Sequence, residues 1–321
     1  MPSTVLIISN DDDSHTDAVV LELNKRNVPV IRFHPEEFPH ACSISIEIQD
    51  GEISGEIATA SRTVALKDIG AAWYRRPQKR FPEVGSAPAT DLDDYVKAQT
   101  TATLRTLYHS LRAYWVCDPY KLQRAEIKAL QLASASRAGL KTPHTLISNR
   151  PAKASAFINQ LGESACAIKA LRADAVRNEE GYRFPLTTTL PKDYPLDAVA
   201  IAPNIFQPYV CKAAELRCVV IGEKIFAAKI NSQTTARTSK DWRGGACQLE
   251  PFSLPEQVEA SLLRLTDSFG INFASLDMIL TPEDEFVFLD LNPNGAWLWL
   301  EVELGLPLAA NMADLLISHL Y

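Results

Sequence analysis

FASLDMIL at residues 273–280 and FVFLDL at residues 286–291 are apolar runs joined by the turn Pro282-Glu283-Asp284, and together they read as two paired strands. The chain continues Asn292-Pro293-Asn294-Gly295. Side chains alternate along a strand, so Asp290 and Asn292 are expected on one face with Phe288, and Leu289 and Leu291 on the other. Asp277 sits in the middle of the facing strand. Two carboxylates and an amide oxygen in a half-buried sheet are costly unless a cation balances them. A small all-oxygen donor set suits magnesium, which keeps water and phosphate oxygens in its other positions. Acids can also rim a turn, and Asp290 alone fits that description; Asp277 lies too far inside its strand. Asp277, Asp290 and Asn292 are therefore the candidate metal ligands.

Outward from this pair, several cations stand where cations are expensive. Lys128 lies between Ala125 at i−3 and Leu132 at i+4 in a helix read over 121–138, so it is expected to face inward. Lys169 ends the apolar strand Cys166-Ala167-Ile168 and needs an anionic partner. A lone lysine of this kind is more often a snorkelling side chain. Beside a magnesium site, two of them suggest the phosphates of a nucleotide. Arg217 interrupts Leu216-Arg217-Cys218-Val219, Lys229 holds a similar place on the returning strand, and Arg243 follows in Asp241-Trp242-Arg243. Each could be a charge that protects a sheet edge. Converging on one sheet, they would form a cationic pocket for a transferring phosphoryl group and a carboxylate. No Walker motif, G-x-G-x-x-G or G-x-S-x-G is present, and the six histidines have no metal-triad spacing.

The rest of the chain reads as a mixed α/β protein. Strands at 4–9 and 28–33 flank a helix, a βαβ opening. A hairpin turns at Asp50-Gly51, a strand at 69–74 ends in Arg75-Arg76-Pro77, and the proline-rich segment 81–88 reads as a mobile loop. A helix at 91–111 and a strand at 115–116 lead to Asp118-Pro119, where the first boundary falls. Beyond the 121–138 helix, strands are expected at 145–147 and 165–170, then a polar stretch without clear periodicity to Pro203. Strands at 205–210, 216–221 and 225–230 follow, the last two turning at Gly222, then a polar surface loop at 231–245 and helices at 255–269 and 308–319. Three parts result, 1–118, 119–203 and 204–321.

Composition bounds the function. Among 321 residues, 46% are hydrophobic and 22% charged, an ordinary globular balance. A net charge of -7 argues against nucleic acid as a partner. Scattered cysteines without C-x-x-C, no signal-like N-terminus and no apolar run of membrane length make a cytoplasmic protein without a membrane partner the expectation.

This order of features resembles the ATP-grasp superfamily, and more closely the graspetide synthetases, the microviridin-type macrocyclases of ribosomal peptides. The traces are Trp73-Tyr74-Arg75-Arg76-Pro77, Leu130-Gln131-Leu132-Ala133, Gly139-Leu140-Lys141-Thr142-Pro143, Asp241-Trp242-Arg243, and Phe288 to Gly295 followed by Trp297-Leu298-Trp299-Leu300-Glu301. The resemblance implies an ATP-grasp fold: an N-terminal α/β pre-ATP-grasp domain, a central α/β subdomain and a C-terminal antiparallel-sheet subdomain. It implies Lys128 and Lys169 on phosphates, Gln207, Pro208, Tyr209 and Val210 as the hinge strand against adenine, and Glu215 among the ATP-binding residues. Arg217 and Arg243, with Lys229, would serve the γ-phosphate and acyl phosphate, and Asp277, Asp290 and Asn292 would hold two magnesium ions. Two positions depart from the pattern: Asp290 stands where glutamate is usual, and Ala296 where glutamine is expected.

The implied reaction phosphorylates a Glu or Asp carboxylate of a ribosomal precursor peptide with a leader segment, then joins it to a Ser or Thr hydroxyl or a Lys amine. A homodimer is the expected assembly. The alternatives are a ligase that adds an amino acid to a peptide or protein terminus, and an inactive ATP-binding scaffold.

Overall fold

The computed structural model describes residues 3–77, 91–162, 165–172, 176–178, 181–183, 187–190, 194–235, 238–239 and 242–320. The expected loop at 81–88 lies outside them.

The N-terminal part is built on β1 (Thr4–Ser9), buried on both faces. It pairs in parallel with β2 (Val30–Phe33) and β6 (Ile69–Arg75). Asp13 caps the intervening helix α1 (Ser14–Lys25), its carboxylate accepting from the His15 and Thr16 amides. A separate antiparallel sheet holds β3 (Ser43–Gln49), β4 (Glu52–Ala58) and β5 (Thr63–Ala65), the last not expected from sequence. Helix α2 (Asp91–Ser110) leads to β7 (Tyr114–Trp115), which closes the parallel sheet beside β6. Leu6 and Ile8 pack with Leu104 and Leu107 of α2. Val5 and Ile7 point the other way, into a core shared with the C-terminal part.

The helix read as continuous over 121–138 is two helices, α3 (Pro119–Ala125) and α4 (Lys128–Arg137). Ile127 is extended at φ -80 and ψ 104, so the chain turns there and α4 begins afresh at Lys128. The central sheet contains β8 (Leu146–Ser148), β9 (Cys166–Lys169), a short β12 (Thr188–Thr189) and β13 (Asn204–Pro208), with helix α5 (Pro151–Gln160) on one face. A two-stranded ribbon, β10 (Val176–Asn178) and β11 (Gly181–Arg183), occupies part of the stretch without clear periodicity. Cys166, Ile168 and Phe206 face α5, which leaves Ala167, Lys169, Ile205 and Gln207 on the open side. β13, beyond the boundary expected at 203, lies between β9 and β8 in this sheet.

The C-terminal sheet runs β14 (Ala214–Ile221), β15 (Lys224–Ile230), β16 (Leu249–Phe252), β17 (Phe273–Leu280) and β18 (Phe286–Asn292), in the order β16-β15-β14-β17-β18. Gly222, at φ +58, makes the tight β14–β15 turn. The expected loop at 231–245 carries two short helical turns, Ser232–Thr234 and Trp242–Gly244. Helix α6 (Glu256–Phe269) packs behind β14, and α7 (Leu298–Leu304), not expected from sequence, follows β18. Helix α8 (Leu308–Ile317) touches α1 and β6 on one side and β14 on the other. Its Leu308, Met312 and Leu316 join Val5, Trp73 and Cys218 in one buried cluster.

Candidate active site

Strict alternation along β18 fails at one point. Asp277 pairs with Asp290 but Met278 pairs with Phe288, so Leu289 is an extra residue, a β-bulge. Phe288 is consequently fully buried on the helix-covered face, and not on the side of Asp290 and Asn292 as expected. Leu289 instead lines the cleft beside Asp290. On the cleft side the register aligns Arg217 with Asp277 and Asp290, and Ser275 with Asn292.

The cleft lies between this face and the open side of the central sheet. Lys128, Lys169, Gln207, Pro208, Tyr209, Val210, Glu215, Arg243, Asp277 and Asp290, all singled out from sequence, line it together. Each has a local reason. Lys128 is the first residue of α4, and Gln131 fastens that helix to β18. The buried Gln131 amide donates to the Ala125 and Leu291 carbonyls, each at 2.7 Å, and accepts from the Leu291 N–H at 3.2 Å. Lys169 comes in from β9 opposite Ile205. Burial pushes the Lys169 ammonium below its usual range, Asp290 and Asp277 oppose this, and neighbouring Lys128 and Lys212 add to it. It makes no ion pair among the described residues, whereas Lys128 donates to Asp290 Oδ1 at 2.7 Å. Arg217, 7% exposed, donates to Asp277 Oδ1 at 2.8 Å and to the Ala296 carbonyl at 2.9 Å.

The hinge strand leaves the central sheet at Tyr209, whose N–H donates to the Ala165 carbonyl. Gln207 turns its amide toward Thr145 Oγ1, 2.9 Å away. Glu215 accepts from Lys212 Nζ at 2.7 Å; burial raises its carboxyl pKa, partly offset by that contact. Neither Lys212 nor Trp242, which also line the cleft, was singled out from sequence as a site residue.

Lys229 is a correction. It pairs with Leu216, and Leu216 with Met278, so alternation puts it on the face opposite Arg217 and Asp277. There it meets Glu250 at 2.7 Å, away from the cleft.

The donor chemistry fits magnesium. Asp277, Asp290 and Asn292 share one face, and the two carboxylates are already held by guanidinium and ammonium groups. Among the described residues there is no cluster of three or more His, Cys, Asp or Glu that could hold a metal; an ion on Asp277, Asp290 and Asn292 would need water or phosphate oxygens for its other positions. The Asn292 amide oxygen also accepts from the Asn294 N–H at 3.0 Å, which sets its direction.

A second group of residues, missed from sequence, meets the loop after β18. Arg75, fully buried, donates to Asp13 at 3.0 Å and to the Asn294 and Gly295 carbonyls at 2.7 and 2.9 Å. His15 Nδ1 stands 3.1 Å from Asp13, and its Nε2 accepts from the Trp297 N–H at 3.0 Å. The run Arg75-Arg76-Pro77 was a visible trace, but its partners lie too far along the chain for any spacing to reveal them.

Residues 4–124 match the family model described as MvdD pre-ATP grasp domain, and residues 124–316 the one described as RimK-like ATP-grasp domain. A probable alpha-L-glutamate ligase of Shewanella denitrificans is 26% identical over 185 residues, 56% of this chain and 60% of that protein. The chain thus spans less than two thirds of the length of the curated relatives it matches. Among solved structures, a RiPP-associated ATP-grasp ligase of Chryseobacterium gregarium, in complex with ADP and a leader and core peptide, superposes with a TM-score of 0.91. It is 28% identical, over 98% of this chain and 97% of that one. The macrocyclase MdnC of Microcystis aeruginosa, bound to the precursor peptide MdnA, gives 0.86 at 28% identity, over 98% and 99%.

Proposed function

The chain belongs to the RimK-like ATP-grasp family, and from that premise we propose that it is an ATP-dependent macrocyclase of a ribosomally made precursor peptide. The observation that carries this reading is the convergence of Lys128, Lys169, Arg243, Asp277 and Asp290 on one cleft floored by the hinge at Gln207–Val210. The near full-length likeness to two enzymes described with precursor or leader and core peptides adds the substrate class.

Adenine lies against the hinge, where backbone groups read its edge, with Glu215 and Lys212 beside it. Lys128 and Lys169 hold the phosphates. Asp277, Asp290 and Asn292 would hold two magnesium ions, which would supply positive charge against the transferring group. A Glu or Asp carboxylate oxygen of the peptide attacks the γ-phosphorus, the bond to ADP breaks, and an acyl phosphate results. A Ser or Thr hydroxyl or Lys amine of the same peptide then attacks the acyl carbon and phosphate leaves, giving an ester or amide with net loss of one water. Arg217 and Arg243 stabilise the anionic oxygens in both steps. Tethering both partners on one peptide contributes effective molarity, worth roughly 7–11 kcal/mol in well-oriented cases. The leader segment binds the same enzyme, a homodimer is the assembly we favour, and the six free thiols suit the cytoplasm.

Co-expression with a short neighbouring reading frame rich in Thr, Ser, Glu and Asp tests this. Mass spectrometry should find one water lost per bond, and unchanged peptide masses across all such neighbours would overturn the reading. A second reading, addition of an amino acid to a peptide terminus, draws on the glutamate-ligase relatives. It predicts a mass gain in place of a loss.

A further inference from the structure

The loop Pro293–Trp297 sits where the N-terminal domain meets the C-terminal sheet. From the C-terminal sheet, Arg217 donates to the Ala296 carbonyl and, with its other terminal nitrogen, to Asp277. From the N-terminal domain, Arg75 donates to the two preceding carbonyls, Asn294 and Gly295. Three consecutive carbonyls are thus taken by two arginines, one from each domain. His15 accepts from the Trp297 N–H through Nε2, which leaves its ring proton on Nδ1 for Asp13, and the Trp297 ring meets its edge at 5.1 Å between centroids. Asp13 closes the circuit, holding Arg75 and His15 with its two oxygens.

A simple joint between domains does not need this. The contact of α1 with α8 nearby is apolar and far cheaper than burying a guanidinium completely. Desolvation pulls the Arg75 pKa down to about 10 even with Asp13 beside it. Among the described residues, one Arg75 nitrogen, Arg217 Nε, Ser275 Oγ and Asn294 Oδ1 are buried and find no partner, all on residues of this loop or touching it. What such a costly arrangement fixes is position. The loop can shift little, because Gly295 lies against Ser275 and has no room even for a methyl group.

We propose that Arg75 and His15 of the N-terminal domain are positioning residues for the phosphoryl-transfer centre: they clamp the 293–297 loop, whose Ala296 carbonyl sets Arg217 and through it Asp277. The inference rests on the reading of Arg217 and Asp277 as phosphate and magnesium residues. It makes the pre-ATP-grasp domain part of the reaction centre.

The test uses the full chain with Arg75→Met, Arg75→Lys, His15→Phe and His15→Gln, each first shown to melt cooperatively. Without any peptide, amide exchange across 293–297 should speed up by about tenfold or more in Arg75→Met. ADP affinity in the absence of magnesium should stay within about threefold, because the hinge and Lys169 stand on the central sheet and none of the clamp residues touches them. The strengthening of ADP binding by magnesium should shrink about tenfold, since Asp277 is misplaced. With a peptide that supports ADP release, kcat should fall about 100-fold with KM for ATP nearly unchanged. His15→Gln, which can still accept from Trp297 and donate to Asp13, should recover most of the loss seen in His15→Phe. Unchanged exchange in 293–297, or an unchanged magnesium effect in folded Arg75→Met, would overturn the clamp. If no peptide is ever modified, the function reading fails while these two measurements still judge the clamp. If Arg75→Met does not fold, His15→Phe against His15→Gln decides it by the same measurements.

Discussion

Lys128 Nζ lies 2.7 Å from Asp290 Oδ1, across the seam between the first residue of α4 and the bulged end of β18. Both side chains are partly open to solvent, so the pair contributes at most about 1 kcal/mol to stability. Asp290→Ala should therefore melt within a few degrees of the parent and yet lose magnesium-dependent ADP release. A drop in thermal stability that accounts for the lost activity would make the pair structural instead.

Lys169 carries a lowered pKa, chiefly from burial. If, as proposed, its ammonium form grips a phosphate, affinity for ADP should fall as pH rises through the lowered pKa, before an ordinary lysine would titrate. Titration calorimetry should find Lys169→Met weak and insensitive to pH in that window. Lys169→Arg should shift the fall to higher pH. A parental affinity flat to strongly alkaline pH would contradict the assignment.

A β-carbon at Gly295 would come within 2.3 Å of Ser275 Cβ. Gly295→Ala must move the loop or the strand, at a cost of about 1–3 kcal/mol. Urea denaturation should read that loss, and activity should fall with it. Adding Ser275→Gly should restore the parental loop position; failure of the double variant to recover activity would mean the close approach is incidental.

The Asp13 carboxyl is held down at about 2, well below the usual carboxylate range. Burial alone would raise it, and the His15 hydrogen bond, the Arg75 charge and the Thr16 amide together outweigh that. A carboxylate lowered in the folded state contributes stability above its unfolded pKa and loses it as pH falls through the folded value. Stability should decline between about pH 4 and pH 2, with one component missing in Asp13→Asn. Identical acid profiles for the two proteins would sink this account.

Much of the cleft was legible because charge inside an apolar run is a rare and costly signal. Asp277, Lys169 and Arg217 all carry it, and all three stand on or beside the cleft. The same signal misled at Lys229, because only register distinguishes it from Arg217: one opposes Leu216, the other Asp277. The bulge at Leu289 was hidden for a related reason. A one-residue insertion in a strand leaves no mark in an alternation pattern that reads well enough without it. The break at Ile127 escaped because both halves keep helical periodicity. The circuit of Asp13, His15, Arg75 and the 293–297 loop had no local signature at all, since its members come from opposite ends of the chain.

Helix α8 touches both α1 and β14, and its apolar face is common property of the first and last parts of the chain. The first 118 residues therefore do not make an interchangeable cassette. A chimera that transplants them onto a related ATP-grasp protein must carry α8 with them as a matched piece. Otherwise the donor sheet arrives with Val5, Ile7 and Trp73 facing a helix cut for someone else.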